Sequence, residues 1–220
     1  MHLEANLGNL LFHKFRVLFE DPWFLALDKP AGLLTIPAPN KQGALLPLIN
    51  QLLSDNGVTF RLHPCHRLDR ETSGVLLLAK GKKSQKLVME LFHTKQVGKT
   101  YFALVQGNLE KESGRITRSI DGKEAITFFR VLERRSLYSL VEVKPETGRT
   151  NQIRLHFKAL GHPLVGETKY AFRKDFPLKA SRLMLHAVSI SFTHPFTEAQ
   201  TKIEAPLPED MLRFLEKNHF

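Results

Sequence analysis

The chain has 220 residues, 42 % hydrophobic and 25 % charged, an ordinary globular composition that excludes a disordered tail or a coiled coil. It carries 32 Lys and Arg against 22 Asp and Glu, and the net charge of +10 points to a polyanion, most simply nucleic acid, or to a solvated basic face with no partner. A single cysteine, Cys65, excludes an internal disulfide framework and a cysteine-rich zinc site and fits a reducing compartment, and no apolar run approaches the roughly 18 residues of a membrane span.

In chain order, Arg16–Glu20 and Trp23–Asp28 read as short strands separated by Asp21-Pro22. Lys29-Pro30-Ala31-Gly32 is a turn before the extended stretch Leu33–Pro37. Leu45, Leu48, Ile49, Leu52 and Leu53 recur at helical spacing between Gly43 and Asp55, before Asn56-Gly57. Residues 61–73 are polar and read as a loop. Gly74–Ala79 is a continuous apolar run that fits a buried strand. Lys82–Lys95 reads as a helix. Thr100–Gln106, Arg115–Ile120, Ala125–Glu133 and Leu137–Lys144 read as strands, the last two as a hairpin. Arg149–Leu160 fits a helix stopped by Gly161. Leu183–Phe192 is a late strand and Pro208–Lys217 a closing helix. Strands outnumber helices and several follow one another directly, so the expected class is α+β with a mostly antiparallel sheet. The N-terminus has no basic stretch before its apolar residues, so a cytoplasmic protein is expected.

The positive charge is confined to the middle of the chain. Residues 61–186 hold 25 Lys and Arg against 12 Asp and Glu, whereas both ends are mildly acidic. Within that stretch, His66-Arg67-Leu68-Asp69-Arg70-Glu71-Thr72-Ser73-Gly74 presses a dense polar cluster against an apolar strand. A loop feeding a buried strand is a common place for functional groups. Asp69 between Arg67 and Arg70 is expected to stay ionised, as a nucleophile or general base. The other reading is an ion-pair network that braces the loop. His63-x-x-His66 with Cys65 lacks a fourth ligand for zinc. Cys65 reads as a buried bystander. Gly98-Lys99-Thr100 lacks the earlier glycine of a phosphate-binding loop, His93 standing in its place. The second polar cluster is Thr147–His156. There, Arg149 suits phosphate and Arg154 suits a carboxylate, or both belong to an exposed basic helix face.

Two segments together resemble the RluA family of pseudouridine synthases. Residues 66–74 look like its HRLDxxTSG signature, and Thr147–Pro163 resembles its later TGRTHQIRxHxxxxGHP segment. Lys29-Pro30-Ala31-Gly32-Leu33 is similar to KPxGL, Lys99-Thr100-Tyr101 to KxY, Gly122–Thr127 to GKxAxT and Leu185-His186-Ala187 to LHA, all in family order. The sequence departs at Asn151, where the family usually has His, at Glu167 for Asp, and at Ala171 for Gly.

The resemblance implies a pseudouridine synthase fold, with residues 1–15 as an extension and 16–220 as one catalytic domain carrying no S4-type RNA-binding domain. It implies isomerisation of uridine in RNA without cofactor or metal, on stem-loops of ribosomal RNA or tRNA; a monomer is the default expectation. The family's catalytic aspartate maps onto Asp69, its base-stacking tyrosine onto Tyr101 and the arginine pairing with the aspartate onto Arg154. Arg67, His66, Arg70, Thr72, Lys99, Arg149 and Gln152 are the expected RNA-binding residues. Base flipping is implied, with Arg67 filling the vacated position.

Overall fold

The structure, a computed structural model, describes residues 7–11, 14–39, 43–171 and 176–218. In chain order these form α1 (Leu7–Leu11), β1 (Arg16–Glu20), β2 (Phe24–Lys29), α2 (Leu45–Asp55), β3 (Leu62–Pro64), β4 (Ser73–Lys80), α3 (Lys82–His93), β5 (Gly98–Gln106), β6 (Ser113–Ile116), β7 (Thr127–Arg134), β8 (Tyr138–Pro145), α4 (Gln152–Ala159), β9 (Leu185–Thr193), β10 (Gln200–Glu204) and α5 (Glu209–Lys217). The α+β expectation holds. The chain divides into two units, one of residues up to Val97 with Ser191–Ala205, the other of Gly98–Ile190 with the segment from Pro206 onward. Among the described residues no helix is long and apolar enough to cross a membrane.

In the first unit β1, β2 and β4 lie side by side, antiparallel, with Lys29 opposite Gly74 and Phe24 opposite Ala79. The apolar run read from sequence is β4, buried from Ser73 through Ala79. β3 adds to its other edge, pairing Leu62 with Lys80 and Pro64 with Leu78. This strand is absent from the sequence reading because only Leu62 of its three residues is a fully buried apolar group. Near the N-terminus Leu7 and Leu11 of α1 are fully buried, and the Leu7 N–H donates to Glu20 at 3.1 Å.

In the second unit the antiparallel order is β5-β8-β7-β6, with Tyr101 opposite Val143 and Thr127 opposite Pro145. One face carries Ala103, Val105, Val141 and Val143, onto which α4 places Ile153 and Phe157, four residues apart on one stripe. Each such side chain contributes about 1.5–3 kcal/mol by burial. The other face packs Leu104, Tyr138 and Met184 against Met211 of α5.

The helix α4 begins at Gln152, three residues later than its periodicity suggests. Asn151 adopts a left-handed conformation (φ 55°), which breaks the helix before it can run back to Arg149. Asn is among the few non-glycine residues that tolerate this region.

Candidate active site

In the first unit two sequence motifs meet. The turn after β2 and the loop before β4 are held together by Gly32 N–H to Arg70 C=O at 2.7 Å and Arg70 Nε–H to Gly32 C=O at 3.0 Å. Gly32 takes φ +87°, which other residues rarely adopt. The Thr35 hydroxyl accepts from the Leu68 N–H at 3.1 Å and donates to the Leu68 C=O at 3.0 Å. Lys29 is fully buried, and its ammonium donates to the carbonyls of Pro30 (2.8 Å), Leu33 (2.7 Å) and Arg70 (3.4 Å). Both chain neighbours of Asp69 are thus anchored, and the Asp69 C=O accepts from the Thr72 N–H at 3.1 Å. Asp69 itself is half-buried.

Arg67 and Arg70 are exposed. His66 is half-buried, its Nε2 accepting from the Leu77 N–H at 3.0 Å, which ties the loop to β4. Thr72 is buried, and its hydroxyl has no hydrogen-bond partner among the described residues. Burial pushes the Cys65 thiol up to about 12, so it stays protonated and unreactive at neutral pH.

In the second unit Lys99 and Tyr101 share one face of β5, two residues apart. Tyr101 is half-buried against the apolar core that includes Ala103 and Val143. Burial lowers the Lys99 ammonium below its usual value.

Arg154 and Glu167 are both buried and form a bidentate pair, Nε to Oε2 at 2.7 Å and Nη2 to Oε1 at 2.7 Å. The Glu167 Oε1 also accepts backbone N–H groups of Thr168 (3.0 Å), Lys169 (2.8 Å) and Tyr170 (3.2 Å). Burial alone would raise this carboxyl, but the Arg154 guanidinium and the backbone donors outweigh it and hold it below the usual range. Asn151 completes a ring of contacts: its Oδ1 accepts from Arg154 Nη1 at 3.1 Å, and its Nδ2 donates to the Tyr170 hydroxyl at 2.7 Å. The Tyr170 ring lies 5.2 Å from the guanidinium carbon. Sequence reasoning noted Asn151 and Glu167 only as departures and missed Tyr170, because residues far apart along the chain reveal no shared contact.

Gln152, expected at an RNA surface, lies inside the fold, which corrects that expectation. Its Oε1 accepts from the Thr147 hydroxyl (2.7 Å) and the Arg149 N–H (3.0 Å), and its Nε2 donates to Ile126 C=O and Thr127 Oγ1, both at 2.9 Å. The amide is saturated and has nothing left for RNA. His156 continues the network. Its Nε2 faces the Arg118 carbonyl at 2.9 Å, which can only accept, so Nε2 carries the proton and Nδ1 accepts from the Thr127 hydroxyl at 2.9 Å. Burial lowers the imidazole and keeps it neutral. The network fixes the Thr147–Thr150 turn, which leaves Arg149 exposed with its Nε–H on Glu124 C=O at 2.9 Å.

The family model described as RNA pseudouridylate synthase matches residues 24–159, a span that includes Asp69, Tyr101 and Arg154. The chain is 36 % identical to the RNA pseudouridine synthase YlyB of Bacillus subtilis, over 91 % of this chain and 71 % of that protein. It is 35 % identical to ribosomal large subunit pseudouridine synthase C of Escherichia coli, over 91 % of this chain and 69 % of that one. The solved structure of human RNA pseudouridylate synthase domain containing 4 matches with a TM-score of 0.79 at 27 % identity, covering 97 % of this chain and 95 % of the other.

Proposed function

The chain belongs to the RluA family of RNA pseudouridine synthases, and we propose that it isomerises specific uridines of structured RNA with Asp69 as the catalytic carboxylate. The reaction breaks the bond between N1 of uracil and C1′ of ribose and joins C1′ to C5. The C5 proton leaves to water and N1 regains one, so the product is an isomer. An ionised carboxylate can open this sequence as a nucleophile or as a base.

The observation that carries the reading is the anchoring of the Asp69 loop. Leu68 and Arg70 are each fastened to the segment 29–35, so the carboxylate is positioned before substrate arrives. The family resemblance assigns Tyr101 the role of an aromatic face and hydroxyl for the uracil, and Arg154 the role of the aspartate's cationic partner. A uridine stacked in a helix cannot reach a half-buried side chain, so the target base flips out of its stack, Arg67 filling the space it leaves. Arg70, Arg149 and Lys99 hold phosphates around it. The Escherichia coli relative is named for the ribosomal large subunit, which makes ribosomal RNA stem-loops the first substrate to test, ahead of tRNA.

The test uses ribosomal RNA transcribed with 5-³H-uridine. The protein releases tritium to water as C5 loses its proton, and Asp69→Asn stops the release while RNA affinity stays within a few-fold. Wild-type turnover by Asp69→Asn removes the carboxylate from the mechanism. Binding without tritium release by the wild-type protein, on ribosomal RNA and tRNA alike, selects a non-catalytic RNA-binding protein instead.

A further inference from the structure

The helix α3 carries a second basic surface in the first unit. Its inward side is marked by Ser84 and Val88. Lys82, Lys86, Met89 and His93 repeat at helical spacing on the outward side, all exposed. Together with Gln85, Glu90 and Phe92 they line a shallow cleft of about 570 Å³.

The cleft adjoins the start of the Asp69 loop. Gln85 Nε2 donates to the Pro64 C=O at 2.9 Å, and the Phe92 ring lies 5.4 Å from the His66 ring, three residues before Asp69. The local charge is uncompensated. Lys82, Lys83, Lys86 and neighbouring Arg61 form no ion pair among the described residues, although Glu90 sits on the same helix, whereas Lys80 nearby is paired with Glu20 at 2.8 Å. The field is felt at His63, whose imidazole is lowered first by burial and then by the charges of Lys82 and Arg61. Unpaired cations around an open cleft with an aromatic wall match the chemistry of a nucleic-acid strand: phosphates meet the lysines, and a base meets Phe92 and Met89.

We propose that the outward face of α3, through Lys82 and Lys86, holds the phosphate backbone of the RNA strand that flanks the target uridine. This rests on the synthase reading and adds a docking surface to it. Acidic protein segments carry the charge to meet the same lysines, but the contact of Phe92 with His66, at the start of the loop of the proposed catalytic carboxylate, favours the RNA strand.

The test compares the double variant Lys82→Gln/Lys86→Gln with a control of equal charge loss, Lys111→Gln/Lys217→Gln, whose lysines are exposed elsewhere. The probe is a fluorescein-labelled hairpin RNA with single-stranded flanks. The α3 variant binds about tenfold more weakly, and its plot of log affinity against log salt is shallower by about 1.4, at roughly 0.7 for each lost contact to a single strand. The control keeps wild-type affinity. An α3 variant within twofold of the wild type overturns the proposal and leaves the cleft to an acidic protein. An equal loss in the control also overturns it, since net charge then explains the effect. A wild-type protein that releases no tritium, with the α3 variant still weakened, fails the catalytic reading while the RNA surface stands.

Discussion

Arg154 holds a buried charge through a bidentate carboxylate, an amide oxygen and an aromatic face. Two of those partners, Glu167 and Asn151, are the positions where the chain departs from the family pattern. They meet on one side chain, and Tyr170 links them. A longer acid at 167 and a smaller polar group at 151 therefore belong to a single rearranged arginine site. Removing one partner of a buried ion pair costs about 3–5 kcal/mol, so Glu167→Ala destabilises the protein by that order at neutral pH. The pH dependence has a definite sign. The Glu167 carboxyl is depressed in the folded state, so the folded protein binds fewer protons here than the unfolded chain. The stabilisation is fully present above the ordinary carboxylate value of about 4.3 and fades as pH falls through the lower folded value. Thermal melts from neutral to acid pH therefore decline more steeply for the wild type than for Glu167→Gln. Parallel declines in the two proteins would remove Glu167 from the acid response.

At the scale of elements, the turn after β2 and the loop before β4 form one unit of structure. Lys29 anchors it from inside, donating to three carbonyls. Replacement by Met fills the volume but leaves acceptors unmatched, at about 1–3 kcal/mol each. Lys29→Met is expected to lower the melting temperature by about 5–10 °C and to slow turnover more than it weakens RNA binding, because the Asp69 backbone loses its anchor. An unchanged melting temperature with unchanged turnover would show that the loop stands without it. Strands such as β1 and β4 and the hairpin β7–β8 are legible in the sequence because their apolar residues are continuous or bounded by turn residues. The start of α4 is not, since its end is set by a left-handed Asn151 and by a buried Gln152 amide that periodicity cannot reveal. The same limit hid the anchoring role of Lys29. A lysine in a turn reads as solvated, and only the fold shows three carbonyls converging on it. The Asp69 loop is legible because its charged residues are contiguous, whereas the Arg154 site draws on 151, 154, 167 and 170.

For the molecule as a whole, both units are positive. The first holds 13 Lys and Arg against 10 Asp and Glu, the second 19 against 12. Many carboxylates of the second unit are already engaged, Glu167 with Arg154, Asp210 with Arg182 and Glu142 with Arg130 and Lys144. Their charge is neutralised locally and does not offset cations elsewhere. Arg70, Lys82, Lys86, Lys99 and Arg149 are the five cations assigned to phosphates. At roughly 0.7 released counterions per single-strand contact, five contacts give a slope of about −3.5 for log affinity against log salt. A fourfold rise in salt then weakens binding by about two orders of magnitude. The slope is the same for RNAs with and without the target uridine, because phosphates carry no sequence. Turnover at saturating RNA stays constant across that range, since the chemistry uses a fixed carboxylate and not the counterion atmosphere. Titrations of a labelled hairpin at several salt concentrations, paired with tritium release at saturation, measure both quantities. A slope shallower than about −1 would mean that the basic surface does not carry the binding.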